Sequence, residues 1–286
     1  MNSNAPEPPV NSQNVSSVPP PANGVSVDPR KVWTEIICEA ERLAASEPRL
    51  ASFYHSTILT HDSVCKALSY ILANRLGAAE MPAIAIREVI EEAHEGDPEL
   101  IHAAAEDMVA TRDRDPAVSM LITPLLYFKG YHALQAYRVG HYLCQHQRFA
   151  LAAYIQSQIS KVFGVDIHPA ATIGRGVMMD HATGIVVGET AVVGNDVSIL
   201  QNVTLGGTGT ETGDRHPKIR DGVLIGAGAT ILGNIVVGEG AKIGAGSVVL
   251  HPVPPHSTAV GVPARVVGDS GCRKPSLRMD QMLPDE

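Results

Sequence analysis

The chain is poor in aromatic residues, which fill 4% of its 286 positions and include one tryptophan, so its core cannot rest mainly on rings. Cysteine is scarce as well. The four present, Cys38, Cys65, Cys144 and Cys272, lie far apart and form no CxxC pair. Such spacing excludes a disulfide framework and a cysteine-based zinc site, and fits the reduced thiols of a cytoplasmic protein. Basic charge is in deficit: 22 lysines and arginines face 30 acids, for a net charge of −8. That balance excludes the cationic face nucleic acid demands. No apolar run approaches the roughly 18–20 residues of a membrane span. The N-terminus has neither the apolar centre of a secretory signal nor the arginines of a transit peptide. A soluble, cytoplasmic protein without membrane or nucleic-acid partners is expected.

What is present is a period. From Ile167 every sixth residue is apolar, through Ile173, Met179, Ile185, Ala191, Val197 and Val203. After a break the count resumes at Ile219, Ile225, Ile231, Val237, Ile243 and Val249. Six fits neither a helix, at about 3.6 residues per turn, nor the ~8–12-residue spacing of a hairpin sandwich. It fits a solenoid of short parallel strands in which each hexapeptide supplies one inward residue and one turn. If the solenoid is three-sided, one coil takes about eighteen residues. Val203 and Ile219 are sixteen positions apart, not a multiple of six, so extra chain leaves the coil between them. That chain, Leu205–Lys218, reads LGGTGTETGDRHPK. Loops thrown out from a rigid scaffold are where function concentrates.

Upstream, residues 1–29 are rich in Pro, Ser and Asn and are expected to be disordered. Helical periods then fill 30–163. Val32, Ile36, Ala40 and Leu43 mark a first helix; a second opens on Asp62 and stops at Gly77; a third runs from Pro82 to His94. Asp97 caps a fourth whose first residue is Pro98. After the polar stretch Thr111–Pro116, the longest helical region runs from Pro124 to Gln147 and continues past Arg148 to Lys161. Gly164 marks the change of period. The expected class is therefore α+β, an N-terminal all-α domain followed by a parallel β-solenoid over 164–268, with 269–286 as a flexible polar tail.

Charged and imidazole groups are rare inside the repeat, so those present stand out. Asp166 and His168 lie in the first coil, and Asp180 and His181 in its third hexapeptide. Fifteen residues separate Asp166 from His181, which places them at one corner region of neighbouring coils. A carboxylate beside an imidazole fixes its tautomer and supports its protonated form, as a general base requires. The same two residues could equally cap turns between coils. The solenoid offers no cysteine nucleophile, so group transfer would pass directly between two bound substrates. Arg215, beside His216, could hold a carboxylate, and Gly206, Gly207 and Gly209 leave backbone N–H groups free to approach a ligand. A zinc site on His168, His181 and His216 is disfavoured, because the three occupy different hexapeptide positions.

Several strings then converge on one family. DPA at Asp115–Ala117, VDIHPAA at Val165–Ala171, DHATGIVVGETA at Asp180–Ala191 and LGGTG at Leu205–Gly209 resemble serine O-acetyltransferases. So do GDRHPKI at Gly213–Ile219, ILGN at Ile231–Asn234 and GVPAR at Gly261–Arg265. The resemblance implies a left-handed parallel β-helix, a hand the residue counts do not reveal. It implies acetyl transfer from acetyl-CoA, a co-substrate, to the L-serine hydroxyl, and no metal. His181 would be the general base and Asp166 its orienting partner. Asp115 and Asp180 would hold the serine ammonium group, and Arg215 and His216 its carboxylate. Coenzyme A would lie along the outside of the coil against Gly207, Ala227 and Ala245, with Lys242 near its polar end. Also implied are a homo-hexamer built as a dimer of trimers, sites at subunit boundaries, and inhibition by L-cysteine. A tail ending in isoleucine that binds O-acetylserine sulfhydrylase is a further family trait; this sequence closes on Leu283–Glu286 without that residue. Another hydroxyl acceptor, such as a sugar or an antibiotic, is the alternative on the same scaffold.

Overall fold

The computed structural model describes residues 27–209 and 212–283, so the expectations for 1–26 and for the last three residues fall outside it. Helices come first: α1 Pro29–Ser46, α2 Ala51–Tyr54 with a π-turn to Leu59, α3 Val64–Leu76, α4 Ala83–Gly96 and α5 Glu99–Arg114. Then follow α6 Ile122–Tyr127, α7 Lys129–Gln145 and α8 Phe149–Phe163. Helix α1 starts where its sequence says it should: Pro29 takes the first turn and the Asp28 carboxylate accepts from Arg30 N at 2.9 Å. Ser63, not Asp62, caps α3, its Oγ accepting from Lys66 N. The long region expected from Pro124 is divided, because Phe128 is extended (φ −89°, ψ 110°) between α6 and α7. The polar stretch from Thr111 is helical up to Arg114, whose side chain is buried against the solenoid.

From Asp166 the chain winds into three parallel faces, the left-handed β-helix that the resemblance implies. The first face stacks the strands beginning at Asp166, Val186, Thr204, Thr230 and Val248; the second, those at Thr172, Val192, Lys218 and Val236. The third stacks those at Met178, Ser198, Leu224, Lys242 and Ser257, closed by the antiparallel strand Ala264–Asp269. Up to the strand at Val248 each strand pairs with the third one before or after it, so three strands make one coil; the strand at Ser257 joins Lys242 one strand early. Where the coil is regular the register advances by eighteen residues, as from Val186 to Thr204 or Lys218 to Val236. Between Val192 and Lys218 it advances by twenty-six, which is the inserted loop. Between Asp166 and Val186 it advances by twenty. These two extra residues lie at Asp180–Gly184 and were invisible in the period. Ile167, Ile173 and Met179 are inward strand residues, whereas Ile185, Ala191, Val197 and Val203 lie two positions before the inward Val187, Val193, Ile199 and Leu205. Both positions are apolar, so the count of six survived a change of phase.

Helices α5 and α7 close the open end of the coil. The Asp107 carboxylate, fully buried, accepts from Arg138 Nη2 (2.7 Å), Gln135 Nε2 (2.9 Å) and Val177 N (2.8 Å). Arg138 also donates to the carbonyls of Ile173 and Gly174, and the Tyr137 hydroxyl to that of Ala171. First-coil backbone groups thus find helical partners instead of water, as a solenoid terminus requires. At the other end, the segment expected to be a flexible tail is docked as far as Leu283. Ser270 and Ser276 are buried, and a short helix, α9 Pro275–Arg278, lies against the third face and α5. Polar composition misled here, because the segment is held by specific hydrogen bonds rather than by apolar burial.

Candidate active site

The edge joining the third face to the first carries His181. Here the chain turns through Asp180–Gly184, with His181 (φ 55°) and Ala182 (φ 60°) both in left-handed backbone. Each such residue costs on the order of 1–2 kcal/mol unless its surroundings impose it. Ala182 is fully buried beside Gly130 of α7, Gly184 N donates to Gly164 O, and Asn202 N donates to Thr183 O, both at 2.7 Å. Held in this way, the His181 side chain stands clear of the coil, 71% exposed, with Nε2 3.6 Å from Asp180 Oδ2. Asp115, the residue just after α5, brings a second carboxylate to the same edge. Burial pushes the Asp180 carboxyl up, His181 pulls it down, and Asp115 adds to the rise. Among the described residues no lysine or arginine pairs with either acid. Two carboxylates without a cation suit an incoming ammonium group.

Asp166, expected beside His181, is not brought to it. Its Oδ1 accepts from Gln156 of α8 at 2.7 Å, and the carboxylate within ion-pair range of His181 is Asp180. The expectation assumed an eighteen-residue coil; the first coil has twenty, and the two extra residues lie in the turn that carries His181. Lys129 of α7, which the sequence did not single out, bonds Thr183 Oγ1 at this edge.

The edge joining the first face to the second carries Arg215 and His216, organised by Thr190. Thr190 Oγ1 accepts from Arg215 N (3.0 Å) and His216 N (3.2 Å), while Thr190 N donates to His216 Nδ1 (3.1 Å). With Nδ1 accepting, the neutral ring carries its proton on Nε2. Burial, and then Arg215, lower the His216 pKa, so at pH 7 the ring is neutral and Nε2–H is a donor. Arg215 is not free: Nη2 lies 2.8 Å from Glu189, and Nη1 donates to Gly213 O. A ligand carboxylate must share that guanidinium with Glu189. Lys218 Nζ pins the returning loop to the carbonyls of Thr190 and His216 and to Asp214. Thr190 and Glu189 were in view inside GETA; only the fold shows that they face the loop.

The two clusters therefore occupy different edges of one coil, separated by the width of the first face, roughly 15 Å for about five residues. Of the positions implied for coenzyme A, Ala227 and Ala245 belong to the His181 edge. Backbone bonds run down it from Thr183 to Asn202, from Gln201 to Gly228 and from Ala227 to Gly246. Gly207 is on the other edge, against the Arg215 stem. Lys242 does not face open space; it is 4% exposed and its Nζ donates to Met282 O at 2.9 Å.

A sequence profile described as the N-terminal region of serine acetyltransferase matches residues 32–136, and one for the bacterial transferase hexapeptide (six repeats) matches 216–251. The serine acetyltransferase of Escherichia coli K12 is 68% identical over 250 residues, which are 87% of this chain and 92% of that protein. The chain belongs to the serine acetyltransferase family. A serine acetyltransferase crystal structure from Vibrio cholerae superposes with a TM-score of 0.87 at 68% identity, covering 88% of this chain and 98% of that one. A serine acetyltransferase in complex with cysteine superposes at 0.87 with 61% identity, covering 89% and 99%. One in complex with CoA superposes at 0.82 with 62% identity, covering 84% and 100%. In this member of the serine acetyltransferase family, Asp180–Gly184 and Gly213–Lys218, strings that carried the resemblance, fall one on each edge. Among the described residues no helix is long and apolar enough to cross a membrane.

Proposed function

We propose that the protein transfers acetyl from acetyl-CoA to the hydroxyl of L-serine, giving O-acetyl-L-serine for cysteine synthesis, at a site completed by two protomers. The observation that carries this is the sorting of charge: unneutralised carboxylates on one edge, and a guanidinium with a neutral imidazole donor on the other. Together they complement a zwitterionic amino acid, which a sugar hydroxyl does not need. Asp115 and Asp180 hold the ammonium group; Arg215 and the His216 Nε2–H hold the carboxylate. As the serine Oγ attacks the thioester carbonyl, His181 takes its proton. The tetrahedral adduct collapses with cleavage of the C–S bond, and the imidazolium returns the proton to the departing thiolate. Asp180, 3.6 Å away, favours the imidazolium while it exists. Asp166, whose Oδ1 holds Gln156, can orient His181 through Oδ2 if the ring turns from Asp180 towards it.

Acetyl-CoA runs down the His181 edge past Ala227 and Ala245, and Lys242 reaches it only when the Met282 carbonyl is released. L-cysteine, nearly isosteric with serine, competes for the same groups. Since the two edges of one chain are about 15 Å apart, the site needs the His181 edge of one protomer against the Arg215 edge of its neighbour. That is a trimer, with two trimers joined through the helical domains. Cytoplasmic residence belongs to the same proposal and agrees with four free cysteines. Thiol release from acetyl-CoA, compared with L-serine, with a sugar and with no acceptor, tests the assignment. Release should depend on serine; equal release with the sugar refutes it.

A further inference from the structure

The edge joining the second face to the third carries a charged seam that acetyl transfer itself does not use. At its centre is Asp196, a non-glycine residue in left-handed backbone (φ 56°). Its Oδ2 lies 2.7 Å from Lys274 Nζ and its Oδ1 3.5 Å from Arg114 Nη2. Arg114 Nη1 donates to Val197 O (3.3 Å) and Ser198 Oγ (3.1 Å), and Ser198 Oγ donates to Ser276 O (3.0 Å). Lys274 and Ser276 belong to the docked C-terminal segment. Arg114 is the last residue of α5, and the next residue is Asp115. The Arg114 side chain is 4% exposed, and burial lowers its pKa only to about 10, so it stays charged and keeps its need for Asp196.

We infer that the C-terminal segment positions Asp115: Lys274 seated on Asp196 sets, through Arg114, where the acidic end of α5 stands, and thereby tunes serine affinity from the opposite side of the coil. Arg114 and Asp115 share a peptide, with Cα atoms about 3.8 Å apart, so a guanidinium that shifts carries the carboxylate with it. Asp196 is the shared member. Without Lys274 its carboxylate is released from one cation and closes on the other, and the long 3.5 Å contact to Arg114 shortens. Lys274, Asp196 and Arg114 are positioning residues that need not touch substrate.

The inference rests on Asp115 holding the serine ammonium, so the test separates the two. Serine KM, acetyl-CoA KM and kcat are measured on the full-length enzyme for Lys274→Met, Lys274→Arg, Asp115→Asn and the double variant Lys274→Met/Asp115→Asn. Methionine keeps an apolar stem over Gly222 and removes only the charge. Lys274→Met is expected to raise serine KM roughly five-fold with kcat little changed, Lys274→Arg to restore it, and the effect of Lys274→Met to vanish once Asp115 is neutral. A purely structural role would lower the melting temperature without this split. If Asp115→Asn raises serine KM while Lys274→Met does not, or if Lys274→Met acts equally in both backgrounds, the coupling is overturned. If Asp115→Asn leaves serine KM unchanged, the ammonium role falls and the coupling falls with it.

Discussion

Mixing two inactive variants tests whether a site is shared between chains. His181→Asn removes the proposed base from one edge, and Arg215→Ala removes the guanidinium from the other. An amino acid's ammonium and carboxylate groups are less than about 4 Å apart by standard backbone dimensions. No single serine can therefore bridge edges about 15 Å apart on one coil. In the proposed ring of three, each boundary would use His181 from one protomer and Arg215 from the next. Random assembly of the two variants in equal amounts leaves about one half of protomers intact at each edge, and so about one quarter of boundaries intact at both. Each pure variant should fall roughly 100-fold or more when assayed below the serine KM. The mixture should then recover up to about a quarter of wild-type activity, at least twenty-fold or so above either parent. Differently tagged chains, co-expressed and purified through both tags, provide mixed oligomers for thiol-release assay. Mixed oligomers no more active than the mean of their parents would refute the shared site.

Alone, His181→Asn should lower kcat roughly 10²–10⁴-fold while the oligomer stays intact by sizing; an unchanged rate removes the imidazole from the reaction. Asp107→Ala strands the Arg138 guanidinium, 3% exposed, without its carboxylate. A loss of roughly 3–5 kcal/mol in urea unfolding is expected, and a loss under about 1 kcal/mol would show that the seam between α5, α7 and the first coil matters little. Burial pushes His94 and His132 each down to about 4, so the folded protein keeps them neutral where the unfolded chain takes up protons. Their stabilising effect is complete above about pH 6.5 and is lost as pH falls towards 4, by roughly 3 kcal/mol per histidine. A melting temperature flat from pH 7.5 to 4.5 contradicts this.

The solenoid was legible because its core is a one-dimensional pattern: each inward residue is apolar and its partners lie one coil away along the same count. The insertion at Leu205–Lys218 was legible because it broke that count. The two extra residues at Asp180–Gly184 were not, since Ile185 is as apolar as Val187 and the series ran on out of phase. Corner spacing and the family resemblance pointed to Asp166 beside His181; the carboxylate within ion-pair range there is Asp180. Arg215 and His216 are consecutive in the sequence. Their dependence on Thr190 and Glu189, about twenty-six residues earlier, needed the register of the second face. The docked C-terminal segment escaped notice because hydrogen bonds to Asp196, Ser198 and Gly222 leave no periodic trace in composition.

The stacked bonds along the His181 edge have a metric consequence. Successive levels rise by about 4.8 Å, so the three steps from His181 down to Ala245 span roughly 14 Å. On the proposed mechanism the spool is in effect a graduated rod with a proton acceptor at its zero mark. A carrier whose thioester hangs on an arm of that length reaches the mark fully stretched, and a shorter or longer one stops short or buckles. On the proposed path for acetyl-CoA, the number of windings between His181 and Ala245 would set the length of donor that fits, whatever side chains line the edge.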